Sequence, residues 1–137
     1  MARAGQTTVE AMTIETLEAF GDALNRRDLE AVMSYFAEEC SYQSSAGPAP
    51  DGHTFEGRDA VRRGLAAFLA QFREGCYENV GFFVCGDRGF GEWAFVGTAL
   101  DGRPVRIRGC DLYEFAGDKI RRKNAFRKQL EPAQEAR

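Results

Sequence analysis

The sequence lacks the closely spaced cysteine and histidine residues from which zinc-type sites are built. Its only histidine is His53, and none of its four cysteines belongs to a CxxC pair. Such sites need several of these ligands close to one another, so we expect no metal and no cofactor. The four scattered thiols are typical of a reducing, cytoplasmic compartment.

Long apolar runs and an excess of basic charge are also missing. No apolar stretch approaches the roughly 20 residues needed to cross a bilayer, and the opening MARAGQTTVE contains no hydrophobic segment typical of a secretory signal. The 18 basic and 21 acidic residues give a net charge of −3, which disfavours a polyanionic partner despite the basic run RRK at 121–123. We therefore expect neither a membrane nor a nucleic-acid partner.

The composition that is present suits one globular domain. A chain of 137 residues with 44% hydrophobic and 28% charged residues is long enough to bury a single core. Its two ends are polar or small. We therefore predict one domain over residues 9–130, with disordered ends at residues 1–8 and 131–137.

Helical periodicity covers the first half of the chain. Apolar residues recur at three- and four-residue steps over 9–25, 29–36 and 59–72, which predicts three helices. The first two would form a hairpin, and Asp28 would cap the second helix. Between the second and third helices, residues 40–57 start like a short strand and continue as a loop rich in glycine and proline.

The periodicity changes to that of strands after Gly75. Residues 77–85, 90–100, 103–115 and 119–129 are predicted to be four strands, joined by the turns GDRG, DGR and AGD. Short turns between consecutive strands imply an antiparallel meander. Three helices followed by such a sheet predict an α+β fold, with the helices packed on one face.

Five stretches of the chain resemble the NTF2-like superfamily and, within it, the SnoaL-like proteins. They are ALNRRDLEAVMSYFAEECSY, GRDAV, GTALDGRPV, CDLYEFAGDKI and KNAFRK. The resemblance implies a cone, in which three N-terminal helices pack on a curved antiparallel sheet that surrounds a pocket. It does not imply one reaction, because polyketide cyclases, ketosteroid isomerase, limonene epoxide hydrolase and scytalone dehydratase share the fold but use different residues.

The working residues of these enzymes are mostly replaced here. The helix-1 tyrosine, the aspartate base and the protonated aspartate of ketosteroid isomerase match Phe20, Ser44 and Asp111. The Arg-x-Asp pattern of the epoxide hydrolase is absent from GEWAF and KNAFRK. The late-strand aspartate of the SnoaL-type cyclases falls on Asn124 or Ala125. Of these matched positions, only Asp111 keeps the residue type that the corresponding enzyme uses.

Asp111 is the candidate catalytic residue. In the predicted strand 103–115 it shares a face with apolar side chains, and a buried carboxylate must be paired, protonated or facing a wet cavity. A three-residue turn would place Asp111 opposite Lys123, and a two-residue turn would place it opposite Asn124. The carboxyl group either meets a ligand in an internal cavity or forms a structural pair with the lysine.

Six further side chains are candidate ligand contacts. Arg127 shares a face with Lys123 and would extend a cationic lining, and His53 lies in the loop expected to overhang the pocket mouth. Tyr42 and Tyr113 could donate hydrogen bonds to a ligand carbonyl, and an indole could form an apolar wall. A solvated surface or a packed core is the alternative for each residue. The six are Lys123, Arg127, Tyr42, Trp93, Tyr113 and His53.

Two functions stay open at this point. One is a small-molecule enzyme, whose apolar cone takes a small hydrophobic, carbonyl-containing ligand and whose Asp111 performs isomerase-, cyclase- or dehydratase-like acid–base chemistry. The other is a non-catalytic ligand-binding or dimerisation module of the same fold. A deep cavity at Asp111 would favour the first, and a filled cone with Asp111 in a closed pair would favour the second.

The strand GEWAFVGTA also predicts an assembly. Trp93 and Phe95 point to one face, while Ala94 and Val96 point to the other, so both faces are apolar. One layer cannot bury both Trp93 and Phe95 if the opposite face packs on the helices. We therefore predict a homodimer formed through the sheet face that the helices leave uncovered.

Overall fold

The computed structural model describes residues 10–131, without the side chains of residues 79 and 80. The predicted disordered ends, 1–8 and 131–137, lie outside the described residues except for residue 131. The described part contains three helices and six strands: α1 (Ile14–Asn25), α2 (Leu29–Met33), β1 (Phe36–Gln43), β2 (Thr54–Glu56), α3 (Arg58–Leu69), β3 (Phe72–Cys85), β4 (Arg88–Ala99), β5 (Pro104–Ala116) and β6 (Lys119–Arg127).

The strands form one curved sheet in the order β2-β1-β6-β5-β4-β3. Helices α1 and α3 pack against it through β3 and β1, so the predicted α+β fold is confirmed. The sheet is not wholly antiparallel, because β1 runs parallel to β6. No helix among the described residues is long and apolar enough to cross a membrane.

The ends of the first two helices follow their capping residues. The Thr13 side chain accepts a hydrogen bond from the backbone N–H of Thr16, so α1 begins at Ile14, later than predicted. The Asp28 carboxylate accepts one from the backbone N–H of Ala31 at 3.1 Å, as the cap prediction requires. Helix α2 is shorter than predicted, because Phe36 belongs to β1 and buries its ring in the core from a strand.

Two segments that were predicted to be helix or loop are strands in the structure. Phe72, predicted to be helical, begins β3, and the Arg27 guanidinium closes this end of α3 by donating to the carbonyls of Leu69 and Phe72. A register shift between Phe72 and Glu74 breaks the alternation that would have identified the strand. Within the predicted loop, the short β2 pairs with β1.

The β5–β6 hairpin corrects the predicted partner of Asp111. The turn has two residues, with Ala116 opposite Lys119, but a β-bulge adds one residue to β6. Asp111 therefore lies opposite Ala125, and neither predicted pairing is right. The bulge also turns Lys123 toward the inner face, where it is buried, because one extra residue reverses the alternation of the strand that follows.

The inner face of the sheet is filled by side chains of the chain itself. The main core joins α1, α2 and α3 to the sheet, and a second cluster consists of Phe72, Trp93 and Phe95. Trp93 and Phe95 are only 5% and 1% exposed without any partner. The predicted reason for a dimer, that one layer cannot bury both Trp93 and Phe95, is therefore wrong.

Candidate functional site

Asp111 lies in β5 with its carboxylate fully engaged by three donors. Trp93 Nε1 and the Tyr113 hydroxyl donate to Oδ2 at 3.1 and 3.3 Å, and Lys123 Nζ donates to Oδ1 at 3.2 Å. The side chains of Lys123 and Asp111 are 3% and 4% exposed. Four predicted site residues thus meet in one buried cluster, and the carboxylate has a countercharge and hydrogen bonds that offset its desolvation.

The space beside this cluster is small. A cavity of about 10 Å³ lies between α1 and the sheet and is lined by Asp111, Phe20, Gly21 and neighbouring aromatic rings. A cavity of that volume holds about one water molecule. The deep apolar cavity expected at Asp111 is therefore not found among the described residues, and the centre of the cone is filled.

Tyr42 connects the buried cluster to the open end of the cone. Its ring lies between two groups, with Lys123 Nζ 5.1 Å from the ring centroid and the Phe55 ring stacked at 5.7 Å. The His53 ring stacks on Phe55 in turn, with 4.1 Å between centroids. Three stacked rings therefore run from the loop before β2 to the buried lysine, which holds Tyr42 by a cation–π contact.

These rings form one wall of a hollow at the mouth of the cone, which we call the mouth hollow. Its volume is about 190 Å³. The loop before β2 supplies Ser44 and His53, α3 supplies Ala67 and Phe68, and β6 supplies Arg127. The complete lining is Tyr42, Ser44, Ser45, Ala46, His53, Phe55, Gly64, Ala67, Phe68, Gln71 and Arg127.

The predicted site residues therefore fall into two groups. Tyr42, His53 and Arg127 line the mouth hollow, whereas the other four, Asp111, Lys123, Trp93 and Tyr113, form the buried cluster. Tyr42 belongs to both regions because Lys123 contacts the face of its ring. The predicted residues do not surround a single ligand pocket.

Eight of the eleven lining residues were not predicted as ligand contacts, among them Phe55, Phe68 and Gln71. Phe55 was assigned to a loop, and Phe68 and Gln71 were assigned to a helix without a functional role. The apolar periodicity of α3 includes Phe68, so its inward direction could have been predicted. The stacking of Phe55 on Tyr42 depends on the β1–β2 register, which pairs these two residues directly, and a three-residue strand leaves almost no sequence signal.

A second, larger hollow lies on the outer face of the sheet. It has a volume of about 450 Å³ and is lined by Phe90, Glu92, Arg108, Cys110 and Phe126 with their neighbours. It is open and mostly apolar, and the buried Asp111 cluster lies on the other side of the sheet. This position suits a contact surface better than a reaction site.

Three tyrosines have raised pKa values for the same two reasons. Burial and then the negative charge of Asp111 raise the pKa of Tyr42, Tyr77 and Tyr113 above the usual range of a phenol. For Tyr42, the positive charge of Arg127 opposes this shift in part. All three phenols are therefore neutral donors in the folded protein near neutral pH.

We expect an alkaline titration to show this protection. A raised pKa means that the folded state disfavours the phenolate form of these side chains. The neutral phenols therefore contribute their full stabilisation below about pH 10, and this contribution falls as the pH rises further. Phenolate absorbance should therefore stay below its full amplitude until the circular dichroism signal of the fold is lost. Complete ionisation of all four tyrosines while the fold persists would contradict the burial of these phenols.

Comparison with known proteins agrees with this architecture. The family model of the SnoaL-like domain matches residues 17–123. An NTF2-like protein of unknown function from Mesorhizobium loti is 28% identical, with a TM-score of 0.69 over 84% of this chain and 89% of that chain. A cystatin-fold protein from Novosphingobium aromaticivorans is 27% identical, with a TM-score of 0.69 over 85% and 98% of the two chains.

A solved structure of lower sequence identity has the same fold. A putative polyketide cyclase from Xanthomonas campestris is 19% identical, with a TM-score of 0.70 over 82% of this chain and 87% of that chain. At that identity the likeness concerns the fold alone. A search of curated proteins gives no match.

Proposed function

The chain belongs to the SnoaL-like family, and we propose that it binds a small, mostly apolar, carbonyl-containing molecule in the mouth hollow. The lining of that hollow is the observation that carries the proposal. Aromatic rings form its walls, and Tyr42 and Arg127 bring hydrogen-bond donors to it. A concave apolar site with a few convergent polar groups is the usual form of a small-molecule site.

The donors of the mouth hollow are available to a ligand. Among the side chains that the structure describes, no hydrogen bond joins the Tyr42 hydroxyl or the Arg127 guanidinium to another side chain or carbonyl, and no carboxylate lies within ion-pair distance of Arg127. A neutral phenol and a guanidinium both donate to a carbonyl oxygen. A ligand oxygen would therefore replace water at both groups.

The buried cluster supports this site without taking part in it. Lys123 contacts the Tyr42 ring and is itself fixed by Asp111 at 3.2 Å. A ring held on both faces loses little rotational freedom when a ligand binds, and such preorganisation favours affinity. The proposed role of Asp111 and Lys123 is therefore to position Tyr42.

Filling the mouth hollow tests the proposal. Ala67 is exposed on α3 and lines the hollow, so Ala67→Phe should occupy the ligand space and weaken binding of a neutral aromatic ketone, acetophenone, by at least about tenfold. Amide shifts in an NMR titration would measure the affinity and locate the site. Ala70→Phe is the matched control, because Ala70 is exposed just beyond the same helix and outside the lining. Equal binding to the parent and to Ala67→Phe would contradict the proposal.

Acid–base chemistry at Asp111 is the second candidate function. The small cavity beside the carboxylate favours this candidate. Phe20 of α1 and Asp111 of β5 both line it, and these are two of the three positions that match the working residues of ketosteroid isomerase. Enzymatic use of the carboxylate would require the surrounding rings to move, since the space is about 10 Å³. An Asp111→Asn variant that keeps its stability but loses a ligand response would support this candidate.

We also propose a homodimer, which is supported by the exposed outer face of the sheet and not by Trp93 and Phe95. Phe83, Phe90, Leu112 and Phe126 are exposed on the outer face of the sheet, on four consecutive strands. The charges nearest to them are of both signs, as in the Glu92–Arg108 pair. An apolar centre with a mixed-charge edge is self-complementary about a two-fold axis, so a second copy is the partner that fits.

The proposal includes a reducing, cytoplasmic location. All four cysteines are free thiols, and two of them, Cys76 and Cys85, are exposed. Exposed thiols that are not paired persist where the surroundings keep them reduced. Binding requires no metal or cofactor, because the recognition groups are aromatic rings and hydrogen-bond donors.

A further inference from the structure

The mouth hollow differs from the rest of the molecule in its charge. The chain has 21 acidic residues and a net charge of −3, yet no aspartate or glutamate is among the residues that line the hollow. Arg127 is its one formally charged residue, and His53 adds a group that can carry positive charge but not negative charge. Nothing in the lining would repel an anion.

The charges behind the hollow do not cancel that of Arg127. Asp111 is the nearest buried acid to Tyr42, but Lys123 pairs with it at 3.2 Å and lies over the Tyr42 ring. The pair contributes no net charge, so the positive charge of Arg127 is left over. At Tyr42 the negative charge of Asp111 still has the larger effect on the pKa, and Arg127 opposes it only in part, so the cationic character of the hollow rests on the Arg127 side chain itself and not on its floor.

The shape of the hollow limits the size of the anion. Its volume of about 190 Å³ is below the roughly 300–1,000 Å³ of sites for drug-sized ligands, which leaves room for one ring and a small substituent. The Tyr42, Phe55 and His53 rings are stacked within 14° of parallel, so the side of the stack is formed by ring edges, and ring edges pack favourably against the face of a flat aromatic molecule. A guanidinium binds a planar carboxylate through two parallel hydrogen bonds.

We propose that the ligand of the mouth hollow is a planar aromatic monoanion, whose carboxylate pairs with Arg127 while its ring packs against the aromatic wall. This inference rests on the proposed function and narrows its ligand class. Benzoate is the simplest member of the class. Benzamide has the same shape and a carbonyl oxygen but no charge, so it isolates the contribution of the anion.

The test compares two probes and two variants by NMR titration of the full chain. Benzoate should bind the parent protein at least about tenfold more tightly than benzamide, which corresponds to about 1.4 kcal/mol, with shifts at Ser44, Ser45 and His53. Arg127→Gln should remove this preference. Lys128→Gln should preserve it, because Lys128 is the next cation along the chain and lines only the outer hollow, whereas Arg127 lines both hollows.

The outcomes separate this inference from the proposed function. If acetophenone and benzamide bind in the mouth hollow as tightly as benzoate, the anion inference is wrong and the proposed function stands. If benzoate binding falls equally in Arg127→Gln and Lys128→Gln, the attraction is one of general charge, and the inference is also wrong. If none of the three probes shifts any amide that lines the hollow, both proposals fail.

Discussion

Asp111→Asn is expected to lower the free energy of unfolding by about 3–5 kcal/mol, although it preserves the shape of the side chain. The reason is Lys123, whose side chain is 3% exposed and whose ammonium group has Asp111 as its only carboxylate partner among the described residues. Removal of one member of a buried pair leaves the other charge desolvated and uncompensated. The hydrogen bonds from Trp93 and Tyr113 would also lose a charged acceptor.

The double variant provides the sharper measurement. Lys123→Met should be destabilising for the converse reason, since it leaves the carboxylate without a countercharge. In Asp111→Asn/Lys123→Met both charges are gone, so the total loss should be well below the sum of the two single losses. Urea unfolding of all four proteins gives a coupling energy, which we expect to be at least about 2 kcal/mol.

An exposed ion pair of the same sheet is the matched control. Arg108 and Glu92 are bonded at 2.8 Å, shorter than the buried pair, but both side chains are largely solvated. Glu92→Gln should therefore change the unfolding free energy by less than about 1 kcal/mol. If Asp111→Asn is as mild as this control and shows no coupling to Lys123, the carboxylate is solvated or available to a ligand, and acid–base chemistry at Asp111 becomes the better candidate.

Side-chain alternation was sufficient to predict the environment of Asp111. Its position on the apolar face of β5 follows from the sequence, and the structure buries it there with Tyr113 and Phe115. The three helices and the antiparallel strands β3 to β6 followed from periodicity, because helices and strands of this length repeat their apolar residues at distinct spacings, whereas strands β1 and β2, which lie between α2 and α3, were not predicted with these bounds. The local environment and the fold class were therefore both accessible from the sequence.

The partners of Asp111 were not accessible in the same way. A bulge in β6 changes the cross-strand neighbour from Lys123 or Asn124 to Ala125, and no residue of KIRRKNAFR marks it. Lys123 still reaches the carboxylate because its long side chain spans the diagonal to Oδ1. The parallel β1–β6 pairing brings Tyr42 beside Lys123, and that contact joins residues far apart in the sequence, which local patterns do not encode.

The sequence also did not show that side chains fill the centre of the cone. The same aromatic residues could line an open pocket or close it, and the choice depends on how α3 is placed over the sheet. In the structure the Phe68 ring packs within 6.2 Å of Tyr77 and 5.4 Å of Phe95 between ring centroids. These contacts close the cone above the buried cluster, so the open space is displaced to the mouth, where Arg127 and His53 lie.

Phe126→Asp is expected to convert the protein from a dimer to a monomer. Phe126 is 49% exposed and lies in β6 opposite Cys110, beside the row formed by Phe83, Phe90 and Leu112. A two-fold axis would bury both copies of the ring. Loss of about 2 kcal/mol of apolar burial from each copy weakens the dimer by about 4 kcal/mol, or roughly a thousandfold, before the added cost of desolvating two carboxylates.

Light scattering over a range of micromolar concentrations measures this change directly. The parent protein should have the mass of two chains, and Phe126→Asp that of one, with unchanged circular dichroism because the side chain packs on no core cluster of its own chain. Leu100→Asp is the control: Leu100 is more exposed, at 62%, but it lies in the β4–β5 turn and not on the sheet face. A parent protein that is monomeric throughout would end the dimer proposal. If Leu100→Asp dissociates the dimer while Phe126→Asp does not, the interface is at the end of the sheet, and the exposed aromatic row has another partner.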